Sequence, residues 1–165
     1  MNVVDPSSCA NFHEVVVKHV DLDWFVDFEK RLIKGVAILS IKAIKENVEK
    51  LLLDACNLDI GSVTCEGKSV SYQIVENGIY GQKITVEIAK MLRDEERKIE
   101  IAYTTSSSAG ALQFMTKEMT KDKRADYLYG LSCYTFGRSI IPSQDTPANK
   151  QTITAKVCKT SNMLS

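Results

Sequence analysis

Hydrophobic and polar residues alternate with a period of two along most of the chain. That spacing puts every second side chain on one face of a β-strand. From Val20 to Phe28 the even positions are Val20, Leu22, Trp24, Val26 and Phe28, and the odd ones Asp21, Asp23, Phe25 and Asp27. The pattern predicts a strand with one buried face. Glu29-Lys30-Arg31 reads as a charged turn. Leu32–Ile44 reads as a second strand whose odd positions, Ile33, Gly35, Ala37, Leu39 and Ile41, share a face. Together they predict a long antiparallel hairpin.

Further strands are predicted at Val48–Ala55, Leu58–Cys65, Ser69–Val75, Gln82–Ala89 and Lys98–Thr105. Glu66-Gly67-Lys68 reads as a turn. Asn77-Gly78 is a strong hairpin-turn signal, because both residues tolerate positive φ. Alternation stops between Ser106 and Asp126, which predicts a long polar connection, a length associated with function or disorder. Strand character returns at Tyr127–Phe136 and Gln151–Val157. Helical periodicity is scarce. The expectation is a disordered segment over residues 1–14 and one all-β, antiparallel domain over residues 15–165.

A chain of 165 residues is long enough for one domain that buries about 70% of its unfolded surface. Lys+Arg and Asp+Glu both total 21, so bulk charge supports neither nucleic-acid nor anionic-membrane binding. No apolar run approaches the length of a membrane span, and the first dozen residues lack the pattern of a secretory signal. Five widely spaced cysteines without a C-x-x-C pair imply reduced thiols and a cytoplasmic location rather than a disulfide framework or zinc knuckle.

The stretch HEVVVKH, His13–His19, comes close to the H-E-x-x-H zinc signature but misses it by two positions. The signature needs histidines at i and i+4 on one helical face, and Val17 stands there instead. On a helix His19 would lie about 240° round from His13, and on a strand about 20 Å away. The geometry therefore predicts no metal site, and three consecutive valines favour a strand. No nucleophile elbow and no phosphate-binding loop is present. The carboxylates Asp21, Asp23, Asp27 and Glu29 read as a solvated strand face. No catalytic residue is assigned.

The segment GRSIIPSQDTP, Gly137–Pro147, is neither a generic strand nor a generic turn. Arg138 and Asp145 bracket an apolar stretch ending at Pro142, and a buried arginine needs a carboxylate partner. An Arg138–Asp145 clasp at a strand end is the expected arrangement, with a residue of a neighbouring domain as the alternative partner.

That segment resembles the R-x-x-[FIL]-P-C-x-D-x-P motif in the N-terminal domain of aminopeptidase N-like zinc peptidases, carried here by Arg138, Pro142, Asp145 and Pro147. Upstream, ALQFMT (Ala111–Thr116), YLY (Tyr127–Tyr129), VDFEKRLIKGVAILSI (Val26–Ile41) and LLLDACNLDI (Leu51–Ile60) are similar to stretches of the leukotriene A(4) hydrolase branch. The resemblance implies a saddle-like antiparallel β-sheet or sandwich domain that caps a separate zinc-bearing catalytic domain. It implies zinc in the full-length family and no cofactor in these residues. The substrate-contacting Gln positions of that branch match Leu131 and Cys133, and Ser143 replaces the motif cysteine. Neither Leu131 nor Cys133 supplies an amide that both donates and accepts, so the substrate-pocket role at these positions is altered.

Three readings follow. The first is a non-catalytic N-terminal domain, truncated before its catalytic partner. The second is a fragment of a full zinc aminopeptidase or epoxide hydrolase. The third is an interaction module docking through an exposed sheet edge. The implied partners are a metallopeptidase catalytic domain or a second copy of the chain, and neither nucleic acid nor membrane.

Overall fold

The computed structural model describes residues 5–159. Among the described residues eleven strands, with three short 3-10 turns between them, make up the regular structure: β1 (Val15–Asp27), β2 (Leu32–Ala43), β3 (Val48–Ala55), β4 (Asp59–Cys65), β5 (Lys68–Ser69), β6 (Tyr72–Glu76), β7 (Gln82–Met91), β8 (Glu96–Thr104), β9 (Leu112–Met115), β10 (Tyr127–Gly130) and β11 (Thr152–Lys159). A six-stranded sheet has the order β11-β1-β2-β8-β4-β5, a three-stranded sheet the order β3-β7-β6, and β9 and β10 form a small hairpin. The core lies between the two larger sheets. Val20, Leu22, Leu39, Ile41, Ile99 and Ile101 come from one, and Leu51, Leu53, Ile84 and Val86 from the other.

The long hairpin forms as the alternation predicts, with Val20 opposite Leu39 and Leu22 opposite Ala37. Its buried parity changes partway, however. Val15 and Val17 are buried at odd positions, whereas Val20, Leu22 and Val26 are buried at even ones. A register shift between Val17 and His19 inserts Lys18 as a bulge residue, and one extra residue moves every later side chain to the opposite face. A second shift between Ile60 and Ser62 does the same in β4, where Leu58 and Ile60 give way to Val63 and Cys65.

Gly35 sits between Trp24 and Tyr103 in one cross-strand row. A Cβ there would lie 2.7 Å from the Tyr103 ring, so the missing side chain lets the phenol lie flat across β2. The Trp24 indole N–H donates to the Tyr103 hydroxyl at 2.8 Å, which satisfies a polar atom in an otherwise apolar layer. Burial pushes that phenol well above the ordinary tyrosine range.

Several expectations are corrected. Residues 1–4 lie outside the described residues. From Asp5 on, the segment expected to be disordered makes contacts with β3: the Ser8 hydroxyl donates to Asp54 at 2.6 Å, and the Asn11 amide bonds both Lys50 and Leu52 of β3, contacts that do not test the expectation of disorder. The connection 106–126 contains β9, paired antiparallel with β10. The predicted strand Tyr127–Phe136 stops at Gly130, and a 3-10 turn follows at Phe136–Ser139. The Asn77-Gly78 turn is a 3-10 turn through Tyr80, with φ +58° at Gly78. The sheet is mixed, since β11 runs parallel to β1.

Candidate functional site

The chemistry-bearing residues gather where the segment 136–149 crosses the end of β3. Asp54 ends an apolar run in β3 and exchanges two backbone hydrogen bonds with Ser143, at 2.8 and 3.1 Å. This bridge draws the chain after Pro142 alongside the strand and buries Asp54 completely. Three donors converge on its carboxylate: the Ser8 hydroxyl at 2.6 Å, the Cys9 N–H at 2.7 Å and the Asp145 N–H at 3.2 Å.

Arg138 is 1% exposed, and its planar guanidinium is spread over several acceptors. Nε donates to Asp145 Oδ2 at 2.9 Å, and Nη2 to the Asp145 carbonyl at 3.2 Å. Nη1 donates to the Ser7 carbonyl at 2.7 Å and the Tyr80 carbonyl at 2.9 Å. Asp54 stands 3.9 Å from Nη1, close enough for charge compensation without a direct hydrogen bond. The Arg138 carbonyl in turn accepts from the Cys56 N–H at 2.9 Å. One cation thereby ties four stretches of chain together, a task that suits the rigid fork of arginine better than lysine.

Gln144 performs a related task at the bulge. Its side chain accepts from the Val17 N–H at 2.9 Å and donates to the Val15 carbonyl at 2.8 Å. Asn149 braces it, donating to Gln144 Oε1 at 2.8 Å and to the Val17 carbonyl at 3.0 Å. Replacing Gln144 by Leu would strand buried backbone groups, at a cost of about 2 kcal/mol. Urea unfolding should show a lower midpoint with an unchanged slope. A loss below about 0.5 kcal/mol, the range of neutral surface changes, would remove Gln144 from this role.

The motif residues thus come together: Arg138 and Asp145 bond directly, Pro142 is buried beside them, and Pro147 lies on the rim. Leu131 and Cys133 are not part of this cluster. They lie on an exposed ledge, with Leu131 54% exposed and Cys133 also exposed. Tyr134 next to them is 96% exposed at φ +54°. A depression of about 650 Å³ between ledge and clasp is lined by Ser7, Tyr80, Tyr134, Thr135, Asp145 and Gln151 among others, and not by Leu131 or Cys133.

The sequence alone assigns no role at this site to Asp54, Ser8, Gln144 or Asn149. For Asp54 a signal was present: a carboxylate inside the apolar run LLLDA. Gln144 and Asn149 carry none, because their partners are backbone atoms more than a hundred positions away.

The cluster is poorly suited to bond-making chemistry. Burial and the nearby Asp54 carboxylate push the Cys9 thiol up, which disfavours its thiolate form. The donors do not fit zinc either. Among the described residues no three His, Cys, Asp or Glu side chains are grouped to hold a metal ion. His19 bonds Thr152 and Asp21, and His13 lies beside Glu14 before β1 begins.

Comparison with known proteins adds a frame to this geometry. Residues 16–165 match the family model described as the peptidase M1 N-terminal domain. The chain is 32% identical over 157 residues to the leukotriene A-4 hydrolase of Xenopus laevis, covering 94% of this chain and 26% of that protein. Its fold superposes with a TM-score of 0.87 on yeast LTA4 hydrolase in complex with bestatin, at 28% identity, covering 96% of this chain and 25% of that one. The M1 zinc metallopeptidase of Deinococcus radiodurans, at 21% identity and a TM-score of 0.67 over 88% of this chain and 33% of its own, shares the fold. The chain spans about a quarter of the length of the curated relatives it matches.

Proposed function

Since the chain belongs to the peptidase M1 N-terminal domain family, we propose that it serves as the non-catalytic β domain of a leukotriene A(4) hydrolase-like zinc aminopeptidase. Its task in this reading is to pack beside a catalytic domain and present the ledge 131–136 toward that domain. The observation that carries it is the family match over residues 16–165. The clasp built from Arg138 and Asp145 supports it, because a rigid cluster under the ledge fixes where the ledge stands. Leu131 and Cys133 then occupy substrate-facing positions without the amides that would hold a substrate amine. Zinc belongs, on this reading, to the catalytic domain of the family.

All five cysteines are free, in keeping with a reducing compartment, and the proposal places the protein in the cytoplasm. Among the described residues no helix is long and apolar enough to cross a membrane.

The purified chain should neither retain stoichiometric zinc after dialysis nor hydrolyse an aminoacyl fluorogenic substrate. Turnover that a chelator abolishes would overturn the proposal. Because the chain covers only a quarter of its relatives, these residues also suit one part of a longer enzyme that removes N-terminal residues or opens an epoxide. An H-E-x-x-H encoded downstream of Ser165 in the mature transcript would support that version. A further reading, an interaction module, is favoured by β11, whose eight residues are all exposed at a sheet edge.

A further inference from the structure

Asn77-Gly78 is the single Asn-Gly pair in the sequence, and every other asparagine precedes a residue with a side chain. Asparagine before glycine is the arrangement most open to intramolecular deamidation, because no Cβ shields the backbone nitrogen that attacks. The pair begins the 3-10 turn Gly78–Tyr80, and Asn77 makes no side-chain capping bond there. Its amide meets the Cys9 thiol instead, a weak partner. The Gly78 N–H lies in a first helical turn, where intrahelical acceptors are lacking.

The backbone holds the two reacting groups apart. At Asn77 ψ is 41°, which points the Gly78 nitrogen away from the Asn77 side chain, so the peptide plane must rotate before they meet. The turn resists that rotation at both ends. The Asn77 N–H donates to the Gly81 carbonyl at 2.7 Å, and the Tyr80 N–H to the Asn77 carbonyl at 3.2 Å. Arg138 Nη1 grips the Tyr80 carbonyl at 2.9 Å, and Gly81 lies close against the Ala55 carbonyl.

We propose that Asn77 is a deamidation site whose rate is set by the Arg138 clasp, and that its isoaspartyl product frees the turn from that clasp. The Gly78 nitrogen gives its proton to solvent and bonds Asn77 Cγ. The Cγ–Nδ2 bond breaks, and ammonia leaves with a proton taken from water. Water then opens the succinimide ring. Attack at Cγ yields aspartate. Attack at the Asn77 backbone carbonyl routes the chain through the side chain and adds one methylene to the backbone. Overall, amide and water become carboxylate and ammonium, without oxidant or reductant. A longer backbone does not fit a turn pinned at both ends, so the Tyr80 carbonyl moves off the guanidinium. The step does not reverse, so the clasp both delays the reaction and is undone by it.

The test incubates the full chain at neutral pH and reads isoaspartate at each asparagine by methyltransferase labelling and peptide mass spectrometry. Asn77 should react ahead of every other asparagine. Its rate should lie about 10–100-fold below that of the chain unfolded in urea, since opening breaks a charge-assisted hydrogen bond. Arg138→Lys should raise the Asn77 rate about fivefold, because an ammonium holds the turn less firmly. The buried Asn11 reports global unfolding and should not change. If Asn11 accelerates too, the parent chain in urea below its unfolding transition decides. An Asn77 rate that stays flat there marks local opening, and one that tracks unfolding overturns the proposal. The isoaspartyl form, separated by ion exchange, should unfold at a lower urea midpoint than Asn77→Asp, which brings the charge without the methylene. Equal Asn77 rates in the folded and unfolded chain overturn the proposal. So does an Asn77 rate that Arg138→Lys leaves unchanged, or an isoaspartyl form as stable as Asn77→Asp.

Discussion

Arg138→Met should cost the domain about 3–5 kcal/mol, the range for removing one member of a buried charge cluster. The side chain is about the right length to fill the space, so the loss is electrostatic rather than a cavity. Without the guanidinium, the Ser7, Tyr80 and Asp145 carbonyls lose their donor, and Asp54 loses the cation 3.9 Å away. Arg138→Lys should recover a minority of the loss, because one ammonium cannot reach acceptors spread over both edges of a fork. Adding Asp145→Asn to Arg138→Met should recover part of it by removing an uncompensated charge. Guanidinium unfolding monitored by Trp24 fluorescence reads all three. A midpoint for Arg138→Met that matches the parent would show that the cluster contributes nothing to stability.

Gly81→Ala is expected to cost about 2–6 kcal/mol, combining backbone strain with overpacking. Gly81 adopts φ +88° and ψ −125°, a region essentially reserved for glycine. A Cβ there would overlap the Ala55 carbonyl oxygen and lie 3.1 Å from Cys56 Cβ. Relief requires the turn 77–81 to move, and that turn holds the Tyr80 carbonyl that Arg138 grips. The damage should therefore reach the clasp: combined with Arg138→Met, the substitution should add less than its own full cost. Strict additivity between the two would show that the turn and the clasp are independent.

How much of this was legible in advance follows from where the forces are local. The β1–β2 hairpin could be read because one face of each strand is buried, and burial writes itself into alternate positions. The bulge at Lys18 could not, since an extra residue looks like a lapse in the pattern until its partner strand is known. β9 is four residues long, too short for a period to register. β11 was found, but its direction was not, because a parallel partner leaves the same alternation as an antiparallel one. The Arg138–Asp145 pair is visible as an arginine and a carboxylate that bracket an apolar stretch, where a buried arginine requires a counter-charge. Asp54 stands out as a carboxylate inside the apolar run LLLDA, but the donors that meet it lie on distant stretches of chain, and Gln144 is harder still to read because an amide bonded to backbone leaves no trace at its partners.

The clasp closes a very long loop: Ser7 and Arg138, joined through a 2.7 Å hydrogen bond, are separated by 131 positions. During synthesis β3 leaves the ribosome well before Arg138 exists, and its Asp54 must wait in water with its cation still untranslated. Burying that carboxylate early is costly, so the three-stranded sheet cannot seal this end in advance. Closure becomes a late event governed by the slow meeting of distant segments. Apolar β3 and β7 stay accessible to chaperones, or to one another on neighbouring ribosomes, until the segment 136–149 arrives.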